Sequence, residues 1–300
     1  MNIGHEKLNI ISMLQDSPRF LVQKAELNGK VVVLKKAKTK KMIANLQNEI
    51  LSYSIYQEMV SNHSDCPFNT ASFLASGEDW ILLSFLEGES GNDLVNKGKK
   101  PRVYDKIAEI MAFCDNKISV THEGELVPLP QHHLMGMKEK FKKRSRVFRQ
   151  IPEEVGLDLG LLNTAIDHAL KNVHRLRTCF SNPDLSHDHL IVSGDTVSIF
   201  DFEINSLYHP RFLDLITQFS NLWFFGHKEA AFNFYHSFWR YRGLNQNEYL
   251  PVLKTLLYTK CISFTWQLIT EPSDDHNTEQ KLDQDFANNI NEVLEYASSL

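Results

Sequence analysis

The sequence predicts an α+β protein in two parts, a small β-rich first part with one helix and a larger, mostly helical second part. Three observations carry this. Two β-branched, apolar runs near the start, "RFLVQKAEL" and "KVVVLKKA", are separated by Asn28-Gly29, the strongest short hairpin signal. After Gly91 the hydrophobic period becomes that of helices and stays so through most of the chain. One more pair of strand-like runs, "HLIV" and "VSIFDF", interrupts that helical half.

The first part continues from its hairpin into a helical pattern, with Ile43, Leu46, Ile50, Tyr53 and Val60 near 3.6-residue spacing. "DWILLSFLEGES" then reads as a buried strand running into a glycine-containing connection. In the second part Pro101 opens a helix that puts Val103, Ile107, Ile110, Met111 and Cys114 on one face. "GLLNTAIDHALKNVHRL" is another amphipathic helix, and from Phe212 onward the chain reads as almost entirely helical. Long loops are expected at Glu123–Gln131 and Pro272–Asn277. The boundaries that follow are residues 1–86 for the first part, 87–90 for the connection and 91–300 for the second part, which includes the hairpin at 184–203.

Composition narrows the function classes. Of the 300 residues 42% are hydrophobic and 23% charged, as in ordinary globular proteins. A formal net charge of -5 argues against nucleic acid as the main partner. The four cysteines form no C-x-x-C pair and read as buried reduced thiols. No secretory signal and no apolar run of about 20 residues is visible, so a cytoplasmic protein without a membrane span is expected. Six lysines between Lys30 and Lys41, the basic run 138–149 and the acidic run 271–285 read first as solvated faces or loops.

The stretch "SNPDLSHDHLIVSGDTVSIFDFE", Ser181 to Glu203, gathers ionisable groups at both ends. Asp184, His187, Asp188 and His189 stand at one, Asp201 and Glu203 at the other. Ser193-Gly194-Asp195-Thr196 is hairpin chemistry. With Gly194-Asp195 as the loop, Asp188 faces Asp201 and His189 faces Phe200; a loop one residue longer sets His189 against Asp201. Either register leaves the imidazole and Asp201 at the same open end, with Asp184 a few residues before it. Three readings stay open on these residues. A divalent cation could be held by oxygens and one nitrogen beside a catalytic base. The acids could simply cap the strands. A zinc site at His187, Asp188 and His189 would lack a distant third ligand set.

The order of the elements favours the first. A lysine-bearing strand, a helix with an inward-leaning glutamate, a connection, a helical half and a polar hairpin are the parts of a protein-kinase-like phosphotransferase. On "NPDLSHDHLIV", "IFDFE" and "HPRFLDLI", the last containing Asp214-Leu215, the chain resembles the aminoglycoside phosphotransferase and small-molecule kinase superfamily. The resemblance is strongest over 180–216 and weaker over 30–90. It implies a two-lobed protein-kinase-like fold in which Asp184 orients or deprotonates the attacking hydroxyl. It further implies that Asp201 binds a cation on the β- and γ-phosphates. His189, where that family usually carries asparagine, would be the second metal ligand, and Ser186 would donate to a phosphate oxygen. A similar Ser-x-Asp-His run marks the 2''-phosphotransferase branch. His187 receives no role.

In the first part "VVVLK" resembles the strand whose lysine holds the α- and β-phosphates, here Lys35, and alternation turns Lys36 to the other face. Glu49 would pair with Lys35. "LLSFLEGE" resembles the segment whose backbone meets a nucleobase, near Ser84 to Leu86. The expected cofactors are ATP or GTP with Mg2+, or Mn2+. The expected reaction moves the γ-phosphate to a small-molecule hydroxyl, with an aminoglycoside or other amine as one acceptor class suggested by the acidic run. Two departures keep a pseudokinase open, either as a nucleotide-binding or as a protein-interaction module. Asn182-Pro183 replaces the usual His-Gly before the base. The first turn, "LQDSPRF", has no glycine, so a backbone phosphate cradle there must use Ser17 or lie elsewhere. The aromatics Trp223, Phe224, Phe225, Tyr235, Trp239 and Tyr241 read mostly as core, with a choline-like cage from a few of them as the lesser reading.

Overall fold

The computed structural model describes residues 8–117, 121–122, 125–202, 206–270 and 282–300. Glu203, the start of the Glu123–Gln131 loop, the Pro272–Asn277 loop and the acids Asp274, Asp275 and Glu279 lie outside the described residues. The chain begins with β1 (Leu8–Asp16), β2 (Phe20–Leu27), β3 (Lys30–Ala37), α1 (Lys40–Asn62), β4 (Asn69–Thr70), β5 (Phe73–Ser76), β6 (Trp80–Ser84), β7 (Glu89–Ser90) and α2 (Gly91–Leu94). There follow α3 (Lys100–Lys117), β8 (Thr121–His122), β9 (Glu125–Leu126), α4 (Gln131–Phe148), α5 (Leu159–Asn172), β10 (Thr178–Ser181), β11 (Leu190–Ser193), β12 (Thr196–Ile199) and β13 (Ser206–Pro210). Helices α6 (Leu213–Phe224), α7 (Lys228–Arg242), α8 (Leu250–Thr270) and α9 (Gln284–Ser299) complete it. This is the α+β class the sequence predicts.

The chain forms two compact units, one ending at Val103 but including Leu185–Ser206, the other made of Tyr104–Asp184 and Leu207–Leu300. The division differs from the expected one at residues 86–91. The hairpin β11–β12, expected in the second part, packs with the first unit. It does so because β11 pairs with β7 through Ile191↔Ser90 and β12 pairs in parallel with β4 through Ser198↔Asn69.

In the first unit an antiparallel sheet runs in the order β1-β2-β3-β6-β5. Asn28 (φ 52°) and Gly29 (φ 76°) take the positive φ values that a two-residue hairpin turn needs. Alternation in β3 then sorts the side chains. Val32 joins Ala25 and Leu82 in an apolar cluster on one face, while Lys35 is buried on the other. Helix α1 is capped by Thr39, whose side chain accepts from the Met42 N–H. Its buried face is Met42, Leu46, Glu49, Tyr53 and Tyr56, so Glu49 takes the core position that the apolar pattern gives to Ile50.

The second unit is a helical assembly around aromatic contacts. Phe224 stacks on Phe264 with centroids 4.4 Å apart, and Trp223 and Phe219 pack on Tyr296. Trp223, Phe224, Tyr235 and Trp239 are buried in this core, leaving Phe225 and Tyr241 exposed. Ile107, Ile110, Met111 and Cys114 of α3 are buried as expected. The strand pair β10–β13 is additional to the single hairpin expected in this half. Its strands are short, and Thr178–Ser181 alternates no polarity that a sequence pattern could show. Asp283, from the acidic run, caps α9 by accepting from the Phe286 N–H at 2.9 Å. Cys114, Cys179 and Cys261 are buried thiols and Cys66 is half-buried. No helix among the described residues is long and apolar enough to cross a membrane.

Two buried acids in this unit have opposite surroundings. Asp115 receives Arg211 through two hydrogen bonds of 2.8 Å and Arg242 through one of 2.7 Å. Asp214 has no such cation among the described residues. Burial pushes its carboxyl up to about 7, the Leu215 N–H partly opposes that, and the Asp115 carboxylate adds to it. The folded state therefore holds a proton on Asp214 that the unfolded chain releases above about pH 4. Stability should fall as pH rises from about 4 to 7 and be flat above, by about 3 kcal/mol between pH 5 and pH 8 at ~1.36 kcal/mol per pKa unit. Asp214→Asn keeps an acceptor for the Leu215 N–H and removes the titration. Urea midpoints at pH 5 and pH 8 should show that slope lost in the variant, which is the more stable protein at pH 8.

Candidate active site

Lys35 is the centre of the polar cluster in the first unit. It projects from β3 between Val22 of β2 and Ile81 of β6 in register, and only 7% of it is exposed. Its Nζ donates to Glu49 Oε2 and to Asp201 Oδ1, each at 2.8 Å. Burial alone would lower the Lys35 ammonium; Glu49 and Asp201 outweigh it and hold the group above the ordinary lysine value. Asp201 mirrors this. Burial pushes its carboxyl up, but the Lys35 ammonium and then His189 hold it below the usual carboxylate range. Lys36 behaves as alternation requires, exposed and paired with Asp79 at 3.4 Å.

Asp201 has a backbone φ of +63°, a conformation uncommon outside glycine and best tolerated by Asn and Asp. The fully buried Phe202 after it fixes this turn, its ring 4.7 Å from Tyr53 and 4.5 Å from Tyr56 of α1. The same helix thus supplies Glu49 and anchors the residue that follows Asp201. Tyr53 lies close enough to both carboxylates that burial, Glu49 and Asp201 all raise its phenol well above the ordinary value.

Beside this cluster is a cavity of about 180 Å3 whose lining includes Lys35, Glu49, Ser84, Leu86 and Asp201. Its apolar walls come from two places, Val22 and Val33 of the sheet and Ile191 and Phe200 of the hairpin. The volume is below the ~300 Å3 at which small-molecule pockets begin, so it suits one end of a ligand. Within the Ser84–Leu86 segment the Ser84 N–H bonds Ser72 O at 2.9 Å and the Phe85 N–H bonds Val31 O at 3.4 Å. Leu86 supplies the first N–H there that bonds no carbonyl among the described residues.

The hairpin has the two-residue loop, with Leu190↔Ile199 and Ser193↔Thr196 as partners. His189 consequently faces Phe200, whose N–H donates to His189 O at 3.2 Å. The imidazole still reaches the mouth, with Nε2 3.9 Å from Asp201 Oδ2. Ser186 precedes a 3-10 turn at His187–His189 and its carbonyl accepts the His189 N–H. It is not part of the cavity wall. His187 has Asp188 3.7 Å away. No group of three or more His, Cys, Asp or Glu side chains among the described residues is arranged to hold a metal, which leaves the zinc reading without ligands.

Two glycines missed in the sequence hold this turn. A Cβ on Gly91 would collide with the His187 carbonyl oxygen. One on Gly88 (φ +148°) would collide with Val192 O. Gly91→Ala should cost about 1–3 kcal/mol, the usual range for forced overpacking. Gly136→Ala, in α4 with open space around it, should instead gain about 0.5–1 kcal/mol from helix propensity. Urea unfolding of the two variants checks the contrast.

The first turn offers no backbone cradle at Ser17. Ser17 N–H donates to Phe20 O at 3.0 Å, and Ser17 Oγ accepts from the Arg19 and Phe20 N–H groups at 3.3 and 3.0 Å. The turn satisfies itself, so of the two alternatives, a cradle at Ser17 or one elsewhere, the first loses its free donor.

Asp184 belongs to the second unit and is exposed. Its N–H donates to Asn182 Oδ1 at 3.2 Å, a local turn that the sequence Asn182-Pro183-Asp184 builds in place of His-Gly. Asn182 is itself buried. From α8, the Lys260 ammonium is close enough to interact with Asp184. That lysine carries no sequence signal.

No protein-family model matches the sequence, and no curated protein is similar to it. Solved structures do share its fold. Aminoglycoside phosphotransferase APH(4)-Ia superposes with a TM-score of 0.61 at 10% identity, over 97% of this chain and 94% of that one. Spectinomycin phosphotransferase APH(9)-Ia, in complex with ADP and spectinomycin, gives 0.58 at 12% identity, over 97% and 94%. ADP-bound aminoglycoside phosphotransferase APH(2'')-Ib gives 0.55 at 13%, over 96% and 91%. The chain therefore has the kinase-like fold of the aminoglycoside phosphotransferases.

Proposed function

We propose that the protein is a small-molecule phosphotransferase, moving the γ-phosphate of ATP or GTP to a hydroxyl group. The observation that carries this is the Lys35 ammonium held between Glu49 and Asp201, 2.8 Å from each, in the wall of an apolar cavity. A buried ammonium with two carboxylates is a costly arrangement for stability alone, and is the one that holds phosphates in kinase-like sites. In this reading the nucleobase enters the cavity between Val33 and Ile191, with the Leu86 N–H at its edge and Ser84 in the wall. Lys35 binds the α- and β-phosphates and Glu49 orients Lys35. Asp184 takes or orients the proton of the acceptor hydroxyl, and Ser186 donates to a phosphate oxygen.

The donors at the hairpin mouth fit a divalent cation. Asp201 and His189, with Oδ2 and Nε2 3.9 Å apart, would hold such an ion, since Mg2+ commonly takes only one or two protein ligands beside phosphates and water. Such an ion would neutralise phosphate charge. A nitrogen ligand suits Mn2+ better than Mg2+.

The self-satisfied Ser17 turn supports a second reading, a nucleotide-binding or protein-interaction module with little turnover. Both readings keep nucleotide affinity possible and separate on transfer. The full chain with radiolabelled ATP or GTP, Mg2+ or Mn2+, and a panel of hydroxylated small molecules should yield a labelled product. Asp184→Asn should lower its rate about 10^2–10^4-fold, the usual worth of general acid–base catalysis, with nucleotide affinity unchanged. Nucleotide binding without a labelled product from any acceptor would favour the binding module.

A further inference from the structure

In the second unit, helices α4 and α8 carry an excess of positive charge, and one of these cations, Lys260, interacts with Asp184. Lys260, on α8, is near enough to Asp184 for their charges to interact, without reaching ion-pair distance of any carboxylate among the described residues. Ser263 follows one helical turn later, and its Oγ accepts a 2.7 Å hydrogen bond from Arg144 Nη1 of α4. Trp266, the next residue along that face, lies 5.7 Å under both Lys143 and Arg144. Helices α4 and α8 together carry the cations Lys138, Lys140, Lys142, Lys143, Arg144, Arg146, Lys254 and Lys260, against the single acid Glu139. Glu139 is largely exposed and paired with Lys142.

Lys260 is half-buried. Burial lowers its ammonium to about 8, and the Asp184 carboxylate only partly offsets this. A lysine in that condition is short of a counter-ion. A polycationic acceptor would enter a field of its own sign there.

Resting on the phosphotransferase reading, we propose that the acceptor is a hydroxylated organic anion, its carboxylate or phosphate held by Lys260 and Arg144, rather than an aminoglycoside. Lys260 is then a specificity-determining residue one step from the base. It binds the acidic group so that the hydroxyl of the same molecule is presented to Asp184.

The test is calorimetric titration of the full chain with D-glycerate, with sn-glycerol 3-phosphate and with gentamicin, at one ionic strength. Wild type, Lys260→Met, Lys260→Glu and Arg144→Gln are compared, with Mg2+-ATP titrated as a control on the first unit. At least one of the two anions should bind wild type and should bind each variant about tenfold or more weakly, which is ~1.4 kcal/mol, while Mg2+-ATP affinity is unchanged. Gentamicin should show no saturable binding. Failure of both anions to bind, equal binding by wild type and variants, or saturable gentamicin binding to wild type would each overturn the proposal. Arg144→Gln, on another helix, keeps the test valid should the Lys260 variants misfold. Lys260-dependent anion binding with no phosphate transfer to any acceptor would retire the phosphotransferase reading and the acceptor role with it, leaving only the anion site; phosphorylation of gentamicin would overturn this proposal and keep the phosphotransferase reading.

Discussion

Lys35→Met should destabilise the protein by about 3–5 kcal/mol, the penalty for removing one partner of a buried ion pair. Methionine fills the space of the lysine stem but takes the Lys35 ammonium away from Glu49, which is 1% exposed. The loss should be smaller at pH 5 than at pH 8, because at the lower pH Glu49 can take a proton instead of staying charged in a buried position. Lys35→Met/Glu49→Leu should recover most of the stability, since an apolar pair of similar volume removes the fully buried charge and leaves only Asp201, whose side chain is 31% exposed, without the ammonium. It should not recover nucleotide affinity. Urea denaturation of the two variants, with ATP titration of each, separates the structural task of the pair from its ligand-binding task. A single variant within 1 kcal/mol of wild type would mean Lys35 is solvated and only lightly coupled to Glu49.

Asp201→Asn should have the larger effect on turnover, a loss on the order of a thousandfold, with little effect on the fold. Asparagine tolerates the +63° φ at this position, and Lys35 keeps Glu49 as a counter-ion. What goes is the anionic oxygen facing His189 and, with it, the charge that would hold a cation. Asp201→Ala adds backbone strain, so it should lose about 1 kcal/mol more stability than Asp201→Asn. Initial rates and melting temperatures of the two variants decide this. Equal stability of both would indicate that the turn relaxes.

The parts of the site that a sequence shows are those fixed by local period. Lys35 could be told from Lys36 because β-strand alternation is strict, whereas the hairpin register stayed open between two loop lengths until the structure paired Ser193 with Thr196. Glu49 was harder. Apolar counting on α1 selects Ile50, and only the presence of Lys35 across the unit explains why a carboxylate occupies the buried position instead. Long-range pairings were not legible. β4 and β7 are two residues each, yet they decide that the hairpin packs with the first unit. Gly88 and Gly91 matter because of backbone oxygens about 100 residues further on, which no local pattern encodes. Lys260 is an ordinary lysine on an apolar helix until Asp184 is placed near it.

The central claim is that the Lys35–Glu49–Asp201 cluster holds a metal-bound nucleoside triphosphate. Its most direct test is the melting temperature of the wild-type chain with ATP and with GTP, each with and without Mg2+ or Mn2+, beside the same series on Asp201→Asn. A rise in melting temperature that requires both nucleotide and cation, and is absent in Asp201→Asn, is the predicted result. No rise with any combination, or a rise equally large in Asp201→Asn, would contradict it.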